Sequence, residues 1–421
     1  MITNPLSHWN WHDKKIYWYC NLNHEQTWNE SKFFPSVTDT SQLHLILQQE
    51  QQMIYLTRAN DTVLFRHQPD LDFWLYLQKQ GIQLPNIQII SDFHSWYRSE
   101  QMDRSAMIVP YMVTEEFLPC LQDDGCSVYG SNPALVKFLN NKLAVRKFAQ
   151  ENGFTTTKGY FCGGLEQLID AYRSLTLQGF EKTVIKIPYG SSGKGLKIIH
   201  NKEEFNRFVA FIKRRIHTFT ELVIEGWYTI ERSLNAQLLI EDGNVHLLAV
   251  TEQHIDENAV YMGSDFTPQY NRLLVQKYRN EMLRLGHLLK DMGVQGVLGV
   301  DSIVDQAGVL YPIIEINARF TQVTYLLPLI ERLNKEHPIL MSRFLRFCLI
   351  EEFSFNEIYE CLNLHLEPDS SNYFLVYTFA TNKEGGKTNY RMFVLFYGSD
   401  RRKVQSMMNA FLAFNPISFK N

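Results

Sequence analysis

Several features that would classify this chain quickly are missing from it. Its longest apolar runs are under ten residues, so no segment reads as a membrane span. Neither sign of charge dominates: 41 Lys+Arg stand against 45 Asp+Glu, a net charge of −4. That balance gives no electrostatic footprint for nucleic acid. The six cysteines, Cys20, Cys120, Cys126, Cys162, Cys348 and Cys361, form no CxxC pair. A chain of this size does not need disulfide staples, so reduced thiols and a cytoplasmic setting are the expectation. The start, "MITNPLSHWNWHDKKIYWYC", has no basic segment followed by an apolar run, and reads as no signal peptide. GxGxxG is absent, His8, His12, His24 and His254 have no metal-ligand spacing, and no Ser–His or Cys–His constellation suggests covalent catalysis.

The chain that remains is 421 residues of globular composition, 45% hydrophobic and 20% charged. That length implies roughly two to four domains. Strand-like and helix-like runs alternate through most of it, which argues α/β or α+β. In the N-terminal third, "QMIYLTRA" (52–59), "NIQIISD" (86–92) and "AMIVPY" (106–111) read as strands, and 69–81 as a helix ended by Gly81. The aromatic cluster Trp9, Trp11, Tyr17, Trp18 and Tyr19 reads as domain packing. Residues 132–154 read as one or two helices, and 157–227 as a compact unit of strands and helices. A hairpin turns at Asp242-Gly243, a long helix spans 271–293, and a last hairpin covers 296–319. "LEPDSSN" (366–372) reads as a linker to a small C-terminal α/β piece. The basic clusters "IKRR" (212–215), with Lys202 and Arg207, and Arg401 to Lys403 read as solvated helix faces, with a carrier-protein docking patch as the alternative for each.

Two stretches carry chemistry. "IKIPYGSSGKGLKII" places Gly190, Gly193 and Gly195 between two strands, where backbone N–H groups without Cβ atoms can wrap phosphate. It is no phosphate-loop NTPase motif, because Gly195 follows Lys194 and a strand comes next. Lys186 sits in the apolar strand before this loop. A buried lysine needs a partner, and a phosphate would supply one.

The other stretch is "YPIIEINARF" (311–320). Glu315, Asn317 and Arg319 alternate, so one strand face carries a carboxylate, an amide and a guanidinium. Asp301, in "VLGVDSIVD", would join that face if the hairpin has a three-residue loop with Gly308 at positive φ, or a bulge near Pro312. A two-residue loop would turn it to the opposite face. Two carboxylates and an amide oxygen are hard ligands that suit Mg²⁺ shared with phosphate.

Taken in order, these residues resemble the ATP-grasp superfamily over about residues 130–335. The resemblance implies an ATP-grasp fold with an N-terminal Rossmann-like domain (1–135), a small lobe with its preceding helices (136–227), a large lobe with the metal site (228–350) and a C-terminal α/β appendage (366–421). It also implies ATP and Mg²⁺, two ions in number, as cofactors. On this resemblance Lys142 in "NNKLAVRK" and Lys186 are the ATP lysines. Ser191, Ser192 and Gly193 form the mobile loop. Glu225, Gly226, Trp227 and Tyr228 in "VIEGWY" make the adenine hinge, and Glu231 is the ribose carboxylate. Asp301, Glu315 and Asn317 are the metal ligands, and Arg319 steadies the transferred phosphate, with Lys186 assisting. Other segments, including "TEQHIDENAVYMGSDF", resemble the group containing the pheganomycin-type peptide ligase and the butirosin-type glutamate–carrier ligase. Within that segment Glu252, Gln253, Tyr261 and Ser264 are candidates for the substrate wall.

The implied activity is ADP-forming joining of a carboxylate to an amine through an acyl phosphate, on an amino acid or peptide in amino-acid or natural-product metabolism. The partners are then small-molecule carboxylate and amine, a peptide or a carrier protein, with neither nucleic acid nor membrane; a homodimer is left open. Two alternatives compete: a non-catalytic ATP-binding regulator of the same fold, and a phosphotransferase or thioester-forming ligase on that scaffold.

Overall fold

The aromatic start of the chain becomes the centre of a parallel sheet. The structure, a computed structural model, describes residues 2–11, 14–31, 33–34, 40–123, 125–190, 195–215, 218–257 and 259–419. Strand Ile16–Tyr19 lies between Thr62–Phe65 and Met107–Pro110, with Asn86–Ile89 and Ser127–Val128 outside them, all parallel. All four of its residues are buried, as befits a parallel strand covered on both faces. The Trp18 indole N–H donates to Asp61 Oδ2 at 2.9 Å, which satisfies its one polar atom. Strand order reverses between Ile16–Tyr19 and Met107–Pro110, so the chain leaving these two strands opens a crevice at their carboxyl ends. Cys20, Asn23, Glu25 and Tyr111 leave from there and line a cavity.

One expected strand is not a strand. Most of 52–59 belongs to a tight 3-10 helix, Gln48–Leu56. A short apolar run does not by itself separate strand from buried helix. Here side chains decide. Gln51 makes two hydrogen bonds with the backbone of Phe379 (2.9 and 3.0 Å), and the Tyr55 hydroxyl donates to Tyr377 O at 2.7 Å. Those bonds fasten the N-terminal domain to a C-terminal strand 322 to 328 residues away.

Residues 132–154 form two helices, Pro133–Leu139 and Lys142–Glu151. Beyond them lies a four-stranded antiparallel sheet of Gly159–Cys162, Leu222–Gly226, Thr183–Lys186 and Leu196–Ile199, in that spatial order. Helices Leu165–Leu177 and Lys202–Arg215 accompany it. Its apolar residues, among them Leu168, Leu175, Ile185, Phe205 and Ile224, form a core cluster separate from the main one.

The third sheet has eight strands. Leu310–Asn317, Gly296–Asp305, Ile230–Glu241, Asn244–Ile255 and Tyr261–Asp265 come first, and Ile339–Leu349, Lys387–Gly398 and Asn372–Glu384 continue it. The sequence reading passed over Ile339–Leu349. That strand is the bridge by which the C-terminal pair and helix Arg401–Leu412 join the large-lobe sheet instead of standing apart from it. Among the described residues, no helix is long and apolar enough to cross a membrane.

Candidate active site

The hairpin carrying Asp301 and Glu315 uses both devices that the sequence allowed. Its loop holds Gly308 at φ +75°, and Asp305 N–H bonds Val309 O at 3.1 Å. The Asp305 carboxylate also accepts from the N–H groups of Ala307 and Val309, which pins the turn. The register is Val304 opposite Leu310 near the loop and Asp301 opposite Glu315 farther on. Between them the strand Leu310–Asn317 holds extra residues around Pro312, whose carbonyl accepts from Ser302 Oγ at 2.7 Å. The shift is even, so both carboxylates stay on one face.

Asp301 is held from three sides. Its Oδ1 accepts from Asn235 Nδ2 and Gln253 Nε2, both at 2.8 Å, and its Oδ2 from Asn317 Nδ2 at 3.2 Å. Burial, and then the neighbouring Glu315 carboxylate, push Asp301 up to about 6. A divalent cation would relieve both causes. Asn317 gives its N–H to Asp301, which leaves its Oδ1 as the group offered to a cation. Among the described residues no three His, Cys, Asp or Glu side chains form a ready metal cage. Asp301, Glu315 and Asn317 therefore fit Mg²⁺ of the kind that completes its shell with phosphate oxygens and water.

Helix Lys142–Glu151 brings cations to two sheets. Asn141 caps it, accepting from the N–H groups of Leu143 and Ala144. Lys142, in the first turn, donates to Glu315 Oε1 at 2.8 Å and to Gly190 O at 2.6 Å. One turn on, Arg146 pairs with Glu225 Oε1 at 3.0 Å. Glu225 Oε2 takes Lys186 Nζ at 3.1 Å and the Thr157 hydroxyl at 2.7 Å. Burial alone would raise the Glu225 carboxyl, but Lys186 and Arg146 outweigh it and hold it below its ordinary value. The lysine that seemed to need a phosphate thus has a protein partner, and the Glu225 side chain anchors Lys186.

The remaining expected residues divide. Ser191, Ser192 and Gly193 lie outside the described residues; Gly190 and Gly195, which flank them, line the cavity. Gly226 has no room for a Cβ, because the Phe180 ring packs on it. Trp227 N–H bonds Lys182 O at 2.9 Å, and Tyr228 packs between Phe180 and Tyr311. Glu231 is exposed at the start of its strand. Arg319 lies over the Tyr111 ring and pairs with Glu25 at 3.2 Å, so the N-terminal domain fixes it. Gln253 and Tyr261 line the same cavity as Asp301, Glu315, Asn317 and Arg319, a space of about 430 Å³. Glu252 does not: it alternates to the other face and pairs with Arg232 at 3.3 Å. Ser264 is buried against the Tyr261 hydroxyl at 2.9 Å and is not among the lining residues.

Sequence reasoning missed Asn235, Gln237, Arg146, Tyr111 and Glu25. Asn235 and Gln237 carried the same signal as Glu315 and Asn317, alternate polar residues in an apolar strand, and Arg146 lay one helical turn from Lys142. Glu25 and Tyr111 gave no local sign, since only the domain arrangement brings them to Arg319.

Residues 140–323 match the ATP-grasp domain family. The chain is 39% identical over 395 residues to the [butirosin acyl-carrier protein]–L-glutamate ligase of Niallia circulans, covering 94% of this chain and 93% of that protein. This chain belongs to the ATP-grasp ligases. Among solved structures it resembles an N5-carboxyaminoimidazole ribonucleotide synthetase in complex with ADP (TM-score 0.60, 12% identity, 86% of this chain and 93% of the other). It also resembles the Staphylococcus aureus N5-carboxyaminoimidazole synthetase with ADP (TM-score 0.58, 12% identity, 94% and 97%). At such identity these likenesses establish the fold alone. ATP-grasp ligases in general bind ATP and use Mg²⁺.

Proposed function

We propose that this ligase activates the carboxylate of an amino acid or peptide as an acyl phosphate and passes the acyl group to an amine. One observation carries the reading: Lys142, Asp301, Glu315, Asn317 and Arg319 converge in one cavity bounded by Gly190 and Gly195. A carboxylate oxygen attacks the γ-phosphorus, the bond to the β,γ-bridging oxygen breaks, and ADP leaves. The incoming nucleophile adds at the acyl carbon, loses its proton, and inorganic phosphate departs. Lys142 and Lys186 are placed to offset charge on the phosphates, and Arg319, held by Glu25, to steady the transferred group. Bound Mg²⁺, two ions by the family resemblance, would spread the charge on the phosphate oxygens. Adenine would lie along Glu225–Tyr228, with Glu231 at the ribose. Gln253 and Tyr261 would meet the donor.

A second acceptor class has a specific ground. The Niallia circulans relative is named for an acyl-carrier protein and L-glutamate, so a carrier-bound thiol stands beside a free amine as acceptor. ATP dependence and the six free cysteines support a cytoplasmic setting.

The test is ADP and phosphate release from Mg-ATP with a panel of amino acids, short peptides and carboxylates, hydroxylamine present. Carboxylate-dependent ADP together with a hydroxamate supports the acyl phosphate. AMP with pyrophosphate, or a stable phosphorylated product, would sink it; ATP binding without turnover on the panel would favour the non-catalytic alternative.

A further inference from the structure

Acyl transfer to an amine needs a proton acceptor. An amine reaches the site as an ammonium ion near neutral pH and cannot attack until it loses a proton. Few groups around the cavity can take one. Among the described residues that line it, the carboxylates are Asp301, Glu315 and Glu25, and no histidine is among them. Asp301 and Glu315 belong to the proposed cation site, and Glu315 also holds Lys142. Burial pushes the Cys20 thiol up to about 12 and raises the Tyr111, Tyr261 and Tyr325 hydroxyls, so these stay protonated. At its far end, on strands Ile339–Leu349 and Lys387–Gly398, the cavity is lined by Arg346 and Arg391. They lie opposite each other and, as cations, accept no proton. Glu25 is the group left.

The fold brings Glu25 to the reacting end of the cavity. It follows strand Ile16–Tyr19 on a short 3-10 helix, His24–Trp28, entered through Asn23 at φ +76°. That helix is fixed at its other end. Trp28 Nε1 donates to Glu115 Oε2 at 3.2 Å, and the Trp28 ring packs edge-on against Tyr189, next to Gly190. Gly190 O in turn accepts from Lys142. Glu25 is 6% exposed and so sits on a segment held against the flank of the glycine loop. Its carboxylate meets Arg319 Nη2 at 3.2 Å and Nε at 3.4 Å. These contacts are longer than the roughly 2.8 Å of a tight charge-assisted pair. Once the phosphoryl group sits on the donor, Arg319 has a doubly charged oxyanion to pair with in place of Glu25.

We infer that Glu25 is the general base that takes a proton from the acceptor's ammonium. While Arg319 holds the acyl phosphate, the Glu25 carboxylate accepts one proton from the nitrogen. The nitrogen lone pair then forms the bond to the acyl carbon. The bond from that carbon to the phosphate oxygen breaks, and phosphate leaves with that electron pair and the second proton. Glu25 gives its proton to water, and Arg319 returns to it. The inference rests on the acyl-phosphate reading and adds the group that readies the acceptor. The competing role for Glu25 is to seat Arg319 and nothing more.

Two small nucleophiles separate these roles. At neutral pH hydroxylamine is uncharged and attacks without a base, whereas ammonia is almost wholly ammonium and must first be deprotonated. The full chain is given Mg-ATP and a carboxylate that yields hydroxamate, once with hydroxylamine and once with ammonium chloride. Hydroxamate and primary amide are measured by mass spectrometry. Both rates fall in Glu25→Gln, because Arg319 loses its charged partner. The ratio of amide to hydroxamate falls roughly 100-fold as well, at the lower end of what a positioned base contributes. Glu25→Asp keeps a carboxylate and regains part of the ratio. An unchanged ratio in Glu25→Gln means that Glu25 only seats Arg319, and overturns the inference. So does a parent that forms hydroxamate but no amide from ammonium; both results leave the proposed function standing. If Glu25→Gln makes neither product, the ratio is read in Glu25→Asp, where a fall supports the inference and parity with the parent overturns it. A parent that forms no hydroxamate from any carboxylate on the panel overturns the proposed function itself.

Discussion

The two ends of the cavity treat charge differently. At the end by Asp301 the lining cations already have protein anions: Lys142 has Glu315 and Arg319 has Glu25, as Lys186 beside the cavity has Glu225. At the far end Arg391 and Arg346 face each other, and among the described residues no carboxylate pairs with either. Both ends gather cationic side chains, but they hold them differently. Paired cations are held in place before the ligand arrives, and the ligand exchanges one set of partners for another. Unpaired cations are held against their own repulsion, and the ligand removes a cost. The first arrangement fixes each cation against a neighbouring carboxylate; the second leaves two like charges opposed on one strand pair.

Breaking the paired end should have the largest effect. Glu315→Ala and Lys186→Ala should each lower kcat/KM for ATP-dependent ADP release by about 10³-fold or more, in the range of lost preorganised electrostatic groups. Circular dichroism should still report a folded chain. Normal turnover in either variant would mean that the site is misassigned.

Glu225→Ala removes one carboxylate from two buried cations. Leaving Lys186 and Arg146 unpaired should cost about 3 kcal/mol or more, read as early denaturant unfolding and faster hydrogen exchange in 157–227. If stability is unchanged, Glu225 is not the anchor of the small lobe.

Asn235→Ala and Gln253→Ala should sharpen the comparison. Each removes one of the hydrogen bonds that orient Asp301, and each should raise the Mg²⁺ concentration needed for half-maximal turnover roughly tenfold. An unaltered Mg²⁺ titration would separate Asp301 from cation binding. The smallest effect is expected for Glu252→Gln, within about twofold in kcat/KM, because its carboxylate pairs with Arg232 away from the cavity. A large loss there would place Glu252 on the cavity side after all.

The strand face Glu315, Asn317, Arg319 could be read from alternation alone, because a period of two is a property of the backbone. Lys186 was legible because a lysine inside an apolar strand is costly without a partner. The partner was not legible. Glu225 is 39 residues away and reaches Lys186 only because the two strands pair antiparallel. The reading of 52–59 as a strand shows the same limit in the fold. Its apolar residues guaranteed burial, but Gln51 and Tyr55 bonding to a distant strand accompany the helical form that the segment takes there. The strand Ile339–Leu349 escaped notice although it carries both Arg343 and Arg346 among apolar residues, and it is the link between the large lobe and the C-terminal strands.

The sequence by itself determined the alternation of elements, the turn residues Asp242-Gly243 and Gly308, and which polar residues share a strand face. Those are short-range consequences of steric limits and pleat. Tertiary structure alone decided that Glu25 holds Arg319, that Glu225 holds Lys186, and that Arg391 meets Arg346 across a strand pair. Each depends on strand order and domain contact, which no local pattern encodes, because the Coulomb energy of a charge is set by whichever groups the whole fold brings within a few ångströms of it.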